Sequence, residues 1–555
     1  MRRNLFALLL LATFAFQSVA FAQAPAVKIT SAERKIVEGV TARQLSDYLY
    51  FVASDEMEGR DTPSRGLDTT AKFIGMNLSK WGFKPAGDDG TFYQKIAIKS
   101  ETTDPANNTL KIGETNFTML DDFFRISGNA SATAPMVFAG NGWMVKPKGI
   151  DAYKGIDVKD KIVVLYGQGF PRGNNPTGYP AGVTRANLTG IKGTDWADPM
   201  TYARQSGARG VIIVASPQLQ TLWPQIRGFL SRGNSFPEKL REPVAGADLP
   251  SMLVSSRVGD AILDGETGKI DSTTGFAINK SVTINANGRV ETKWTQNVVA
   301  LWEGSDPVLK NEMVAIGAHY DHIGISPNAP GPDKINNGAD DDGSGTVSVL
   351  SIAEALAKAP KRPKRSVLFV WHCGEEKGLW GSEYFNKFPT INIKNVITQL
   401  NIDMIGRSKK PGYLAPCDTN PAPGRKPCNE TLSGENQVYV IGKDMMSSTL
   451  GNLVSGVNSG YLKLDYDTRY DDPKDTNRFF FRSDHFNYAL NGIPIAFWFD
   501  GEHEDYHQPG DEPQKIDYIK MEKVARTIML TLLELTNLKE RPNIDKQLPP
   551  ELMQR

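Results

Sequence analysis

After Val298 this chain alternates between apolar runs and helical patterns, and that alternation limits its possible folds more than any other feature. Short runs rich in β-branched and aromatic residues lie at Val298–Trp302, Met313–Ala318, Val367–His372, Val396–Ile402, Val438–Ile441 and Ile493–Phe499. Helical patterns cover Val347–Lys358 and much of Ile516–Leu538. Runs that are apolar throughout read as strands buried on both faces. Their alternation with helices predicts an α/β domain with a largely parallel sheet and helices on both faces.

Five acidic or histidine-bearing segments punctuate this pattern: G-A-H-Y-D-H at Gly317–His322, N-G-A-D-D-D-G-S-G at Asn337–Gly345, C-G-E-E-K-G-L at Cys373–Leu379, N-I-D-M at Asn401–Met404 and D-Y-H-Q-P-G-D at Asp505–Asp511. His319 follows one predicted strand, Glu375 and Glu376 follow another, Asp403 ends a third, and His507 comes soon after the last. Open α/β sheets bind ligands at the carboxyl ends of their strands, so these segments are expected to meet on one rim. Imidazoles and carboxylates without cysteine suit a pair of zinc ions that activate water. A D-D-D-G-S-G run alone could be a solvated turn or a calcium loop, and an E-E pair alone a surface feature at a helix start. The companion segments and the following helix favour a metal site.

Composition agrees with an exported enzyme. The 63 basic and 63 acidic residues balance, which gives no argument for a nucleic-acid or anionic-membrane partner. An apolar content of 40% with nine tryptophans excludes wholesale disorder. Arg2 and Arg3, the apolar run Leu5–Phe16 and Ala20-Phe21-Ala22 read as a signal peptide over residues 1–22, cut before Gln23. The run is too short for a spanning anchor, so a soluble periplasmic or extracellular protein is expected. Cys417 and Cys428 flank a Pro-rich loop and could close it as a disulfide. Cys373 reads as a buried free thiol, since the adjacent glutamate pair explains the site better than a cysteine nucleophile.

From Ser31 to about Gly82 the pattern is helical, interrupted by the polar loop E-M-E-G-R-D-T-P-S-R-G. From about Ile96 to Val290 it becomes β-type, with runs such as Lys161–Tyr166 and Gly210–Val214.

Taken together, the five segments resemble the catalytic signature of the M28 family of zinc aminopeptidases, in the family's order. The middle section resembles the protease-associated (PA) domain that some members carry as an insertion, through Gly155–Leu165 and Ala203–Val214. The resemblance implies a phosphorylase/hydrolase-like doubly wound mixed sheet with an inserted β-rich PA domain. Its divisions would be residues 1–22 signal peptide, 23–107 first part of the peptidase domain, 108–294 insertion, 295–540 catalytic core and 541–555 tail.

By the same resemblance, His319, Asp341 and Asp403 would hold one zinc, and Asp341, Glu376 and His507 the other, with Asp341 as the bridge. On spacing alone Asp340 and Asp342 serve equally well; the family register selects Asp341. Glu375 would be the general base, and Asp321 would orient His319 by accepting its second imidazole N–H. The family pattern does not require His322 as a ligand. Asp511 would support His507, and Ser483, Asp484 and His485 fit either a supporting or a turn role. Tyr470, Asp471, Asp472 and Phe480, in an acidic and aromatic loop, are the candidates for binding the α-amino group and side chain of a peptide.

The expected activity is that of a dizinc exopeptidase, foremost an aminopeptidase. The M20 metallopeptidases share H-x-D and E-E but not the N-G-A-D-D-D-G-S-G form, and glutaminyl cyclases use one zinc. An M28 carboxypeptidase would need an arginine pocket, which the sequence does not reveal. A non-catalytic scaffold would not be expected to keep the complete ligand set.

Overall fold

A computed structural model describes residues 25–167, 178–230, 234–241, 249–272, 274–413 and 431–553. The signal segment, its cleavage point and the Cys417–Cys428 pair lie outside the described residues. The chain divides into two compact units, one of residues 1–95 with 295–555, the other Ile96–Trp294. The first crossing comes earlier than the expected 107/108. The division falls between Lys95 and Ile96.

The first unit is a mixed α/β structure. Its strands are β1 (Gly288–Trp302), whose residues from Thr295 onward fall in this unit, β2 (Met313–His319), β3 (Ser366–His372), β4 (Val396–Ile402), β5 (Gln437–Ile441), β6 (Asp465–Asp467) and β7 (Ile495–Phe499). They run in the order β1-β3-β2-β4-β7-β5-β6. The centre is parallel, from β3 through β2 and β4 to β7, while β1 pairs antiparallel with β3 and β5 antiparallel with β7. Every residue of β2, β3, β4 and β7 is buried, which is why these runs carry no polar alternation.

Successive side chains on a strand point to opposite faces, and each face has its own helices. Ala315, Leu368, Val370, Ile495 and Phe497 join a cluster with Phe385 of α4 (Trp380–Lys387) and Phe486 and Tyr488 of α6 (His485–Leu490). On the other face α3 (Gly345–Ala357) and α7 (Tyr518–Asn537) pack against β2. The N-terminal helices α1 (Ala42–Val52) and α2 (Arg65–Lys80) complete that layer: α1 contacts α3 and α7, and α2 contacts α3. The C-terminal stretch, expected as a tail from 541, instead places Leu548 and Leu552 in the β-face cluster. Burying two leucines contributes several kcal/mol, at about 1.5–3 kcal/mol each, enough to hold that stretch on the domain.

The second unit contains an eight-stranded mixed sheet. Its middle strands Ala130–Phe138, Ile162–Gly167, Gly210–Ala215 and Ser251–Val254 are parallel neighbours. Among the described residues no helix is long and apolar enough to cross a membrane.

Candidate metal centre

The rim of the first unit's sheet brings the five segments together. β2 delivers His319, whose Nδ1 lies 3.1 Å from the Asp321 carbonyl oxygen. Assigning the ring proton to Nδ1 satisfies that hydrogen bond and leaves Nε2 with a free lone pair. Nε2 faces Asp341 Oδ1 at 3.3 Å and Asp403 Oδ1 at 3.6 Å. The expected role of Asp321 therefore changes. Its carbonyl orients the imidazole, while its carboxylate, 3.6 Å from Nδ1, accepts the Glu375 backbone N–H at 3.2 Å and the Thr62 hydroxyl at 3.0 Å. Asp321 thus fixes the start of the glutamate pair as well as the first histidine.

A second group lies beside the first. His507 Nε2 is 3.1 Å from both Asp341 Oδ2 and Glu376 Oε2. Asp341 is shared by the two groups, His319–Asp341–Asp403 and His322–Asp341–Glu376–His507. His322 differs from the sequence expectation, which gave it no part. It is fully buried, with Nδ1 2.8 Å from Glu376 Oε1. The H-x-D-H spacing puts it just past the end of β2, where the chain turns back over the rim.

The acidic triplet separates into three tasks. Asp340 Oδ1 accepts the Gly406 N–H at 2.7 Å, and Asp342 Oδ1 accepts those of Gly345 and Met404 at 2.8 and 3.1 Å. Only Asp341 faces both groups. The glycine after the triplet is required by contact: a Cβ on Gly345 would overlap the Asp342 carboxylate and the Ile402 carbonyl oxygen. Asp511 accepts the backbone N–H groups of Asp340 and Asp341 at 3.0–3.1 Å, holding the bridge from behind. His503, not singled out in the sequence, lies 3.4 Å from Asp340 and 3.8 Å from Asp511. Ser483 accepts a hydrogen bond from Asn401 at 2.8 Å, and His485 stacks on Phe497. Three non-glycine residues of the five segments adopt left-handed backbone: Leu379, Met404 after Asp403, and His507 itself. Such strain costs about 1–3 kcal/mol and persists where surrounding structure imposes it, commonly at functional sites.

The floor under these loops is the segment that reads as a polar surface loop. Arg60 is fully buried and donates to the carbonyls of Tyr320, Val52, Asn337 and Gly338 at 2.7–3.0 Å. Thr62 in turn accepts the Gly374 N–H at 3.0 Å.

The electrostatics fit cations. Burial works against every charge in the group, yet Asp403, Asp321 and Asp341 hold the His319 imidazole well above its ordinary value. His507 likewise rises to about 10 against its burial, through Asp341 and Glu376. Glu376 falls to about 2 despite burial and the Asp341 charge, because the His322 and His507 imidazoles lie against its carboxylate at 2.8 and 3.1 Å. Burial, with the Glu376 and Asp403 charges, pushes Glu375 well above the usual carboxylate range. Crowded carboxylates draw protons onto the imidazoles, and divalent cations would take the place of those protons. Several buried donor atoms lack a hydrogen-bond partner, including His507 Nε2, both His322 nitrogens and Glu376 Oε1. The donor set of imidazole and carboxylate suits zinc.

A cavity of about 170 Å³ opens over the group, lined by Asp341, Glu375, Glu376 and Asp403, with Phe479, Phe499, Arg482 and Tyr506 among its walls. The four expected substrate contacts are not among its lining residues. Tyr470 is buried against Tyr439 and Phe479, and Phe480 against His485 and Phe486. Asp471 accepts the Gly442 N–H, and Asp472 is exposed. Within F-F-F-R the neighbours Phe479 and Arg482 reach the cavity instead, because a short 3₁₀ turn at Phe479–Phe481 rotates successive side chains by about 120°. Cys373 is buried and unpaired, and burial pushes its thiol far up, consistent with an inert role.

Residues 297–532 match the model of peptidase family M28. Leupeptin-inactivating enzyme 1 of Streptomyces exfoliatus is 28% identical over 220 residues, 40% of this chain and 38% of that protein. A probable leucine aminopeptidase 2 of Arthroderma benhamiae is 26% identical over 272 residues, 48% of this chain and 45% of that protein. The chain thus spans less than half the length of either relative. The aminopeptidase from Aneurinibacillus sp. strain AM-1 superposes with a TM-score of 0.48 at 19% identity, over 93% of this chain and 98% of that one. Residues 297–532, the stretch that matches the peptidase family M28 model, carry all the histidines and carboxylates of the two groups.

Proposed function

We propose that this chain is an exported dizinc exopeptidase, foremost an aminopeptidase, with one zinc at His319–Asp341–Asp403 and a second held by Asp341, Glu376 and His507. The observation that carries this reading is the sharing of Asp341 between two donor groups beneath a cavity that Glu375 also lines. Zinc bound there supplies a Lewis acid for the scissile carbonyl and makes water acidic near neutral pH.

The protein's own residues do the rest. Glu375 accepts a proton from the attacking water as its oxygen adds to the peptide carbonyl, and returns that proton to the departing amine as the C–N bond breaks. A carboxylate that lines the cavity beside the ligand Glu376 is placed to take and then release that proton. Asp321 keeps Glu375 in register through its backbone N–H, and the aromatic walls Phe479, Phe497 and Phe499 exclude water from an apolar side chain. The carboxylates lining the cavity attract a free α-ammonium group, which favours cleavage at the amino end. Arg482, the one arginine in the lining, is already paired with Glu502 at 2.7 Å and Tyr506 at 3.0 Å, which weakens the carboxypeptidase alternative. The inserted unit is read as PA-like, and the N-terminal segment as an export signal to the periplasm or medium.

Aminoacyl-anilides and their N-acetyl forms test the reading. Cleavage of the free forms only is expected; equal cleavage of both, or of neither, would contradict aminopeptidase action.

A further inference from the structure

We infer that His322 is itself a metal ligand, so that the two metal positions are unequal: a closed site of His322, Asp341, Glu376 and His507 beside an open one of His319, Asp341 and Asp403. The inference rests on the metallopeptidase reading above and assigns a residue that neither the family register nor the motif spacing calls for.

Its first support is geometric. Zinc–ligand bonds of about 2.0–2.2 Å in a tetrahedron put ligand atoms roughly 3.3–3.5 Å apart. His322 Nδ1 lies 2.8 Å from Glu376 Oε1 and 3.7 Å from Asp341 Oδ2, bracketing that value. The undisputed pairs in the same group, from His507 to Asp341 and to Glu376, are 3.1 Å each. One ligand atom from each of the four residues lies within 4.8 Å of the other three.

The second support is the state of the imidazole. His322 is 0% exposed, and neither ring nitrogen has a hydrogen-bond partner of good geometry. A buried polar group left unsatisfied destabilises the fold unless something binds it. His319 uses its second nitrogen to fix its orientation, but His322 has no such anchor. Its ring is seated by packing: a Cβ on Gly338, which has φ +56°, would lie 2.5 Å from His322 Cγ. Its backbone N–H donates to the buried Arg60 carbonyl at 3.2 Å. A side chain held this firmly, with its nitrogens unused beside two ligand carboxylates, is placed for a cation.

The consequence is a division of labour. Four protein ligands close a zinc site, as in structural centres, whereas three leave a position for substrate or water. The His319 site, with three protein ligands, is then the open and more weakly held one. His322 anchors the permanent ion.

The test uses the intact protein, ¹⁵N-labelled at its six histidines and loaded with ¹¹³Cd. Cadmium–nitrogen coupling is expected at three histidines, and the signal that disappears in His322→Gln identifies His322. In chelator competition with zinc, His322→Gln should weaken one ion by more than about 100-fold and leave the other unchanged, since even outer-shell partners are worth 10–100-fold. Two bound cadmium ions with coupling at only two histidines would overturn the inference while leaving the dizinc reading intact, His322 then acting only as a hydrogen-bond donor to Glu376. Binding of no metal would overturn both. The coupling is read on the unsubstituted protein, so a folding defect in the variant cannot obscure it.

Discussion

Replacing Arg60 by methionine should unfold the first unit at lower denaturant, although Arg60 lies in a segment that reads as a polar loop. The guanidinium makes four hydrogen bonds to backbone carbonyls, all at 2.7–3.0 Å. Hydrogen bonds to charged groups contribute about 1.5–3 kcal/mol each, roughly 6–12 kcal/mol for four. Against this stands the cost of burying the cation, several kcal/mol after relaxation. Burial does depress its pKa, opposed by Asp321, Asp511, Asp342 and Asp341, but arginine stays charged. The net loss for Arg60→Met is therefore about 4 kcal/mol, a factor of about 10³ in the folding equilibrium. Arg60→Lys keeps the charge but cannot fork toward carbonyls lying in different directions, and should recover less than half. Urea unfolding followed by circular dichroism measures this, using the transition that added zinc shifts because it reports the catalytic unit. A loss below 1 kcal/mol for Arg60→Met would refute the argument that this residue ties the loops of Tyr320, Asn337 and Gly338 together.

Other outcomes follow from the same geometry. Glu375→Gln should lower kcat by about 10²–10⁴ with zinc content unchanged by metal analysis; loss of metal along with activity would mean that Glu375 is a ligand. Removing zinc with a chelator should abolish activity and destabilise the first unit, by about 4 kcal/mol relative to protein held at a thousand times Kd; an unchanged melting profile would contradict a metal centre that ties together five segments. Burial raises the Asp471 carboxyl from 3.8 to about 7, so the folded state keeps a proton that the unfolded chain releases near pH 4. Stability contributed below that pH is lost as pH rises toward 7, by at most about 4 kcal/mol. Asp471→Asn should flatten this slope without changing KM for a free peptide; a changed KM would restore Asp471 as a substrate contact.

Much of the catalytic unit was legible because buried parallel strands announce themselves as unbroken apolar runs. Five of the six expected strands are present within two residues, the first begins ten residues early at Gly288, and the helices after Ser344 and before Leu538 are present. Histidine, aspartate or glutamate next to glycine at a strand end marks a rim position, and the five segments meet there. Tertiary context decided the remainder. Arg60 and Thr62 sit in a stretch whose composition reads as surface, and only the fold places it beneath the Asp341 and Glu375 loops. The spacing did not mark His322, because its partners Glu376 and His507 lie far along the chain. The choice between Phe479 and Phe480 turned on the phase of a single 3₁₀ turn, which a run of three phenylalanines does not encode.

The central claim is that Asp341 joins two metal ions. Anomalous diffraction at the zinc absorption edge from crystals of the zinc-loaded protein tests it most directly. The account predicts two peaks about 3.5–4 Å apart, one on either side of the Asp341 carboxylate. A single peak, or a pair of peaks away from Asp341, would contradict it.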